Sequence, residues 1–230
     1  MSRSAALPNS DALAFEGYFE GGALHELYAA TAGDDLAALS LALLLAGRNE
    51  RAGAIVWAFE ARRARGARPY APGLAGLGLA PERLVLVCAP DLLALLRAAA
   101  DAVACPALAA VVIAAPQGGA AFDLTASRRL ALAAARTGVP VLAVRGGGVV
   151  PSAARTRWAV RRRCARPLAA QAPGHAAYAL ELLRNRAGPA GLALDLEWDA
   201  DERCFRAAAA GGVAAVAGQR AAAQPPAIAA

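Results

Sequence analysis

The residues with the most chemical potential lie in Tyr28-Ala29-Ala30-Thr31-Ala32-Gly33-Asp34-Asp35, between an apolar run and a segment of helical period. Such a strand-to-helix junction is where a nucleotide's phosphates can be held. A working loop there reads G-x-x-x-x-G-K-[ST]: glycines let backbone N–H groups surround the phosphates, lysine neutralises them, and the hydroxyl binds Mg²⁺. Gly33 stands in the place of the second glycine, but Tyr28 replaces the first, and Asp34 and Asp35 follow where a cation and a hydroxyl are needed. At ~4 Å and an effective dielectric of ~20, each carboxylate facing a phosphate opposes binding by about 4 kcal/mol. The degenerate loop Gly33, Asp34, Asp35 therefore predicts that no ATP is bound. A second part is also missing. The run Ala109-Ala110-Val111-Val112-Ile113 should lead to the aspartate that holds Mg²⁺ in enzymes of this kind, and it ends in Ala114, Ala115 and Pro116.

Glu60, at the end of another apolar run, stands where a water-activating carboxylate could lie, but a base without a phosphate site has no substrate, and it reads as a surface glutamate. Gly73, Gly76 and Gly78 are ordered G-x-x-G-x-G and do not join a strand to a helix, so the dinucleotide geometry is absent. His25 lies in a strand-like run and His175 in a Pro-Gly loop; neither flanks a nucleophile elbow. The cysteines, Cys88, Cys105, Cys164 and Cys204, form no C-x-x-C pair and read as reduced structural thiols. The expectation is a protein that is not an enzyme, with no catalytic residue, no metal and no cofactor.

Charge is the remaining signal. All 24 basic residues are arginine, a mark of coding bias, but their distribution is uneven. Eight of 18 acids precede residue 61, whereas Leu124 to Leu180 holds ten arginines and no acid. Arg128, Arg129, Arg155, Arg157, Arg161, Arg162 and Arg163 are the candidate contacts to a partner or to DNA, with Arg136, Arg145 and Arg166 in the same stretch. The alternative is a solvated strand face plus compositional bias. A second cluster, Arg62, Arg63, Arg65 and Arg68, reads as an exposed loop.

These groups need a scaffold, and hydrophobic periodicity supplies one. Short apolar runs near 23–28, 54–59, 83–87, 109–114 and 139–144 alternate with helix candidates at 36–46, 71–77, 91–104 and 124–137, the pattern of a mainly parallel α/β sheet flanked by helices. Asp123 or Thr125 can cap the last helix, and Gly138 ends it. After Val144 the runs 156–162, 177–184 and 192–198 are too close together for crossover helices, which predicts antiparallel strands on the C-terminal side. Residues 1–20 read as an N-terminal segment, 21–206 as the domain, and 207–230, rich in Ala, Gly, Pro and Gln, as a disordered tail. No run of 18 apolar residues occurs and Pro8 to Asp11 interrupt any leader-like stretch, so no membrane contact and a cytoplasmic location are expected.

With the elements in this order, the chain resembles RecA over roughly residues 21 to 206. Gly22 to Tyr28 looks like the strand entering RecA's phosphate loop, and Tyr178 to Arg186 followed by Leu194 to Trp198 resembles its late β-hairpin. Among degenerate RecA relatives the chain is similar to the ImuA family of damage-inducible mutagenesis proteins, through Leu77-Gly78-Leu79-Ala80-Pro81-Glu82-Arg83-Leu84, Asp123 to Leu130, Ser152 to Trp158 and Leu182 to Arg186. That resemblance implies an accessory factor of SOS-induced translesion synthesis, associated with the nucleoid when induced. Its implied partners are an ImuB-type inactive Y-family polymerase relative, an error-prone C-family polymerase and RecA. RecA's DNA-binding loops would fall at 116–122 and 145–152, both short here, which weighs against filament formation on DNA. A SulA-like inhibitor of cell division, a basic DNA-binding module and a residual ATPase are the competing readings.

Overall fold

A computed structural model describes residues 15–19, 21–61, 69–115, 119–165 and 174–208. The expectations for Arg62, Arg63, Arg65 and Arg68, for Arg166, for Pro116 and for the tail beyond residue 208 lie outside the described residues.

The alternating pattern folds as read. Strand β1 (Leu24–Ala29) leads to helix α1 (Asp35–Arg48), then β2 (Ile55–Glu60), a short helix α2 (Ala71–Gly76), β3 (Leu84–Ala89), α3 (Leu92–Val103), β4 (Ala110–Ala115), α4 (Leu124–Thr137) and β5 (Val141–Arg145). Four further strands follow: β6 (Thr156–Arg163), β7 (Ala176–Asn185), β8 (Ala193–Asp199) and β9 (Cys204–Ala207). All pair in one nine-stranded sheet of order β3-β2-β4-β5-β1-β6-β7-β8-β9. The helix ends carry the expected chemistry. The Asp91 and Asp123 carboxylates cap α3 and α4 by accepting the Ala94 and Ala126 N–H groups at 2.8 Å, and Gly138 closes α4 at φ 75°.

The structure amends the C-terminal reading at one strand. β6 pairs parallel with β1, His25 opposite Thr156, and antiparallel only with β7. The link between β5 and β6 needs no helix because residues 146–155 can span roughly 33 Å when extended, against the ~20 Å of a six-residue strand. The chain thus returns across the sheet before β6 begins, and the antiparallel expectation holds for β6–β7, β7–β8 and β8–β9.

The sheet has two buried faces. Leu24, Val111, Ile113, Val141 and Ala143 pack with Leu95, Ala99 and Leu130 of α3 and α4. Leu27, Val112, Leu142 and Val144 belong to the opposite core with α1, where Leu41 to Ala46 are buried without a break. A helix apolar all round must be covered all round, and the antiparallel strands do this. Ser40 of α1 and Tyr178 of β7 share a hydroxyl hydrogen bond at 3.0 Å, while the Trp198 indole of β8 donates at 3.0 Å to the carbonyl of Leu77, which follows α2, so β7 meets α1 and β8 meets the end of α2. Phe15 and Phe19 pack edge-on and stacked against Trp158 in the same core, so the domain takes in part of the segment before residue 21.

Because Leu41 is fully buried between sheet and hairpin, Leu41→Ala is expected to destabilise the fold by roughly 2–5 kcal/mol. Urea unfolding checks this, as a lower midpoint at an unchanged slope.

Candidate functional site

Between the end of β1 and the start of α1 only Ala30 to Asp34 remain, and Gly33 takes φ 101° to make the turn. Asp34 does not face outward toward a phosphate, as the sequence predicts; its side chain is 1% exposed. The turn is too short to leave it there. Its Oδ2 accepts the Thr31 N–H at 3.0 Å and the Thr31 hydroxyl at 2.6 Å, and its Oδ1 accepts the Arg162 N–H at 3.1 Å. Burial pushes the Asp34 pKa up, but the Thr31 hydrogen bonds, the Arg162 N–H and the Arg162 guanidinium outweigh it and leave the carboxyl below its ordinary value. Asp34 thus acts as an internal anion that engages one N–H and the hydroxyl of its own loop and one N–H of β6.

Strand β4, separated from β1 by β5, ends without an acid. Ala114 and Ala115 are buried, and Ala115 lies in register with Arg145, so a guanidinium side chain sits beside the position that would need a carboxylate. Among the described residues no group of three His, Cys, Asp or Glu side chains could hold a metal ion. Glu60 is buried at the end of β2 opposite Ala89, not solvated as expected.

The strongest electrostatic feature was not anticipated. Glu26, in the middle of β1, is fully buried on the α3/α4 face. Its Oε1 accepts from Arg145 Nη1 at 2.8 Å, its Oε2 accepts the Tyr28 hydroxyl at 3.0 Å, and Arg157 Nε approaches Oε2 at 3.1 Å outside hydrogen-bond geometry. Arg145 also donates to the Phe122 carbonyl at 2.8 Å and lies 4.2 Å over the Phe122 ring; Arg157 donates to the Ser152 hydroxyl at 2.9 Å. One carboxylate thereby ties together both loops expected to correspond to RecA's DNA-binding loops. Arg157 and Arg145 are therefore not available to a partner. Both are nearly fully buried, Arg145 against Phe122 and Arg157 against Ser152. Glu26 could have been suspected as an acid inside an otherwise apolar strand, but its partners lie 119 and 131 residues away.

On the other face the Trp158 indole donates to Thr156 Oγ1 at 3.1 Å, and the same hydroxyl shares a hydrogen bond with His25 Nδ1 at 2.8 Å. His25 is buried beside Phe19. Burial, with a smaller contribution from Arg155, lowers its pKa to about 3.

The other candidate arginines divide into two groups. Arg128, Arg129 and Arg155 are exposed where α4 meets the link, a junction held by the Ala153 N–H to the Ser127 hydroxyl at 3.0 Å. Arg161 and Arg162 are exposed at the far end of β6 beside the closed turn, and Arg163 is ion-paired with Asp195. Arg155 and Arg162 are seven residues apart along an extended segment, roughly 23 Å, so they do not form one continuous patch.

The nine-stranded arrangement defines a RecA-like fold. It superimposes on the crystal structure of the RadB recombinase with a TM-score of 0.56 at 16% identity, covering 83% of this chain and 93% of that one. Over 132 residues the chain is 39% identical to Protein ImuA of Caulobacter vibrioides, in each of two strains, covering 54% of this chain. Over that segment the likeness to the ImuA family read from the sequence holds. The chain spans about half the length of these curated relatives. No protein-family model matches it. None of the described helices is long and apolar enough to cross a membrane.

Two outcomes are expected. Glu26→Gln leaves two buried arginines without their counter-charge and should cost on the order of 3–5 kcal/mol, measured by denaturant unfolding. His25 binds its proton less readily folded than unfolded, so its contribution is full above pH ~6.5 and is lost as pH falls toward about 3. Between pH 7 and 5 it should remove roughly 2 kcal/mol of stability, and His25→Asn should flatten that part of the stability profile.

Proposed function

We propose that this domain is a non-catalytic accessory protein of damage-induced mutagenesis, working through protein contacts rather than nucleotide turnover. The observation that carries the reading is the Asp34 carboxylate, which fills the turn where phosphates would lie and engages the Thr31 hydroxyl at 2.6 Å. The loss of an acid at Ala114 and Ala115 supports it independently. The pathway is suggested by the 39% identity to Protein ImuA. On this reading the partners are an ImuB-type inactive polymerase relative, an error-prone C-family polymerase and RecA. The exposed arginines Arg128, Arg129, Arg155, Arg161 and Arg162 supply surfaces for acidic faces on them, and DNA contact is secondary.

Co-purification of the full chain with an ImuB-type protein and with RecA tests the proposal. Capture of either partner, independent of added nucleotide and weakened about tenfold or more by Arg161→Glu with Arg162→Glu, is the expected result. Capture of neither, in the presence of a steep salt-dependent shift of single-stranded DNA, would replace it with a DNA-binding role.

A further inference from the structure

We propose that the cavity where the turn between β8 and β9 meets residues 77–84 is a binding site for a carboxylate carried on a short apolar body. This inference is independent of the proposed function. The cavity measures about 170 Å³, below the ~300–1,000 Å³ of pockets that enclose whole drug-sized ligands, so it fits one chemical group. Leu44, Leu79 and Trp198 give it an apolar lining, and the Trp198 indole N–H is already used on the Leu77 carbonyl.

The charged part of the lining is all of one sign: Arg48, Arg83 and Arg203 contribute and no carboxylate does. Arg48 is neutralised from outside by Glu16 at 3.0 Å. Arg83 is held in place by the Gly53 and Arg51 carbonyls at 3.1 and 3.2 Å, which orient its guanidinium without cancelling its charge. Arg203 forms no ion pair among the described residues. Two cations are thus left for an anion, and a guanidinium pairs with a carboxylate through two parallel hydrogen bonds.

Backbone geometry marks Arg203 separately. At φ 50° it is the one non-glycine residue with positive φ among those described, a conformation that persists only where the surroundings impose it. Its stem lies across Gly78, where an added Cβ would come within 3.0 Å of Arg203 Cγ and 3.2 Å of Cδ and Nε. Gly78 itself has φ 79°. The tight β8–β9 turn and the bare Gly78 backbone together leave the Arg203 stem packed against the cavity wall.

The free carboxylate of a small acid and the C-terminal carboxylate of a peptide share this chemistry. The test titrates the full chain by calorimetry with butyrate, butyramide, inorganic phosphate, acetyl-Ala-Leu and acetyl-Ala-Leu-amide. Each acid should bind about tenfold or more tightly than its amide, phosphate, which has no apolar body to meet Leu44, Leu79 and Trp198, should bind more weakly than butyrate, and Arg203→Gln should weaken the acids about tenfold. Butyrate matching the dipeptide acid points to a small-molecule ligand, and a tighter dipeptide acid points to a chain terminus. Equal binding of acid and amide, no binding of any acid up to about 10 mM, or undiminished binding by Arg203→Gln would each overturn the proposal. The acid–amide comparison on the unaltered chain decides the matter even where a variant fails to fold.

Discussion

The buried carboxylate of Glu26 is the constraint on which the middle of the sheet depends. It lies on β1, between β5 and β6, and holds an arginine from each of those neighbours, so three strands and the loops beyond them meet at one charge. Two guanidinium groups and one carboxylate leave an excess positive charge inside the fold. It is spread over the Phe122 carbonyl and ring and the Ser152 hydroxyl and carbonyl. A group of this kind is costly to desolvate and more costly to break. It also engages the 146–155 link, through the Arg157 hydrogen bonds to the Ser152 carbonyl and hydroxyl.

A second internal carboxylate performs a parallel task at the end of β1. Asp34 satisfies the turn from within, and its bond to the Arg162 N–H fastens the turn to β6. The two acids lie at opposite ends of one relation: Glu26 secures the start of β6 through Arg157, and Asp34 secures its far end. Around β1 the RecA-like frame is therefore held by charge pairs internal to the chain.

Much of the scaffold was legible in the sequence because it rests on local patterns. The apolar runs of β1 to β5, the capping aspartates Asp91 and Asp123 and the terminating Gly138 each carry their signal within a few residues. The missing lysine after Gly33 and the missing acid after Ile113 were equally local. What escaped were relations across more than a hundred residues. An arginine such as Arg157 looks solvent-bound until the strand opposite it is known to carry Glu26, and β6 looks antiparallel until the reach of the link before it is considered. The direction of Asp34 was hidden for the same reason, since a backbone N–H from Arg162 helps to turn it inward.

The proposed function requires that Asp34 occupy the place a bound phosphate would take. Calorimetric titration of the full chain with Mg·ATP, together with its thermal midpoint at saturating nucleotide, tests this most directly. No heat of binding and no shift in midpoint are expected. A stoichiometric binding isotherm with a nucleotide-dependent rise in the midpoint would contradict it.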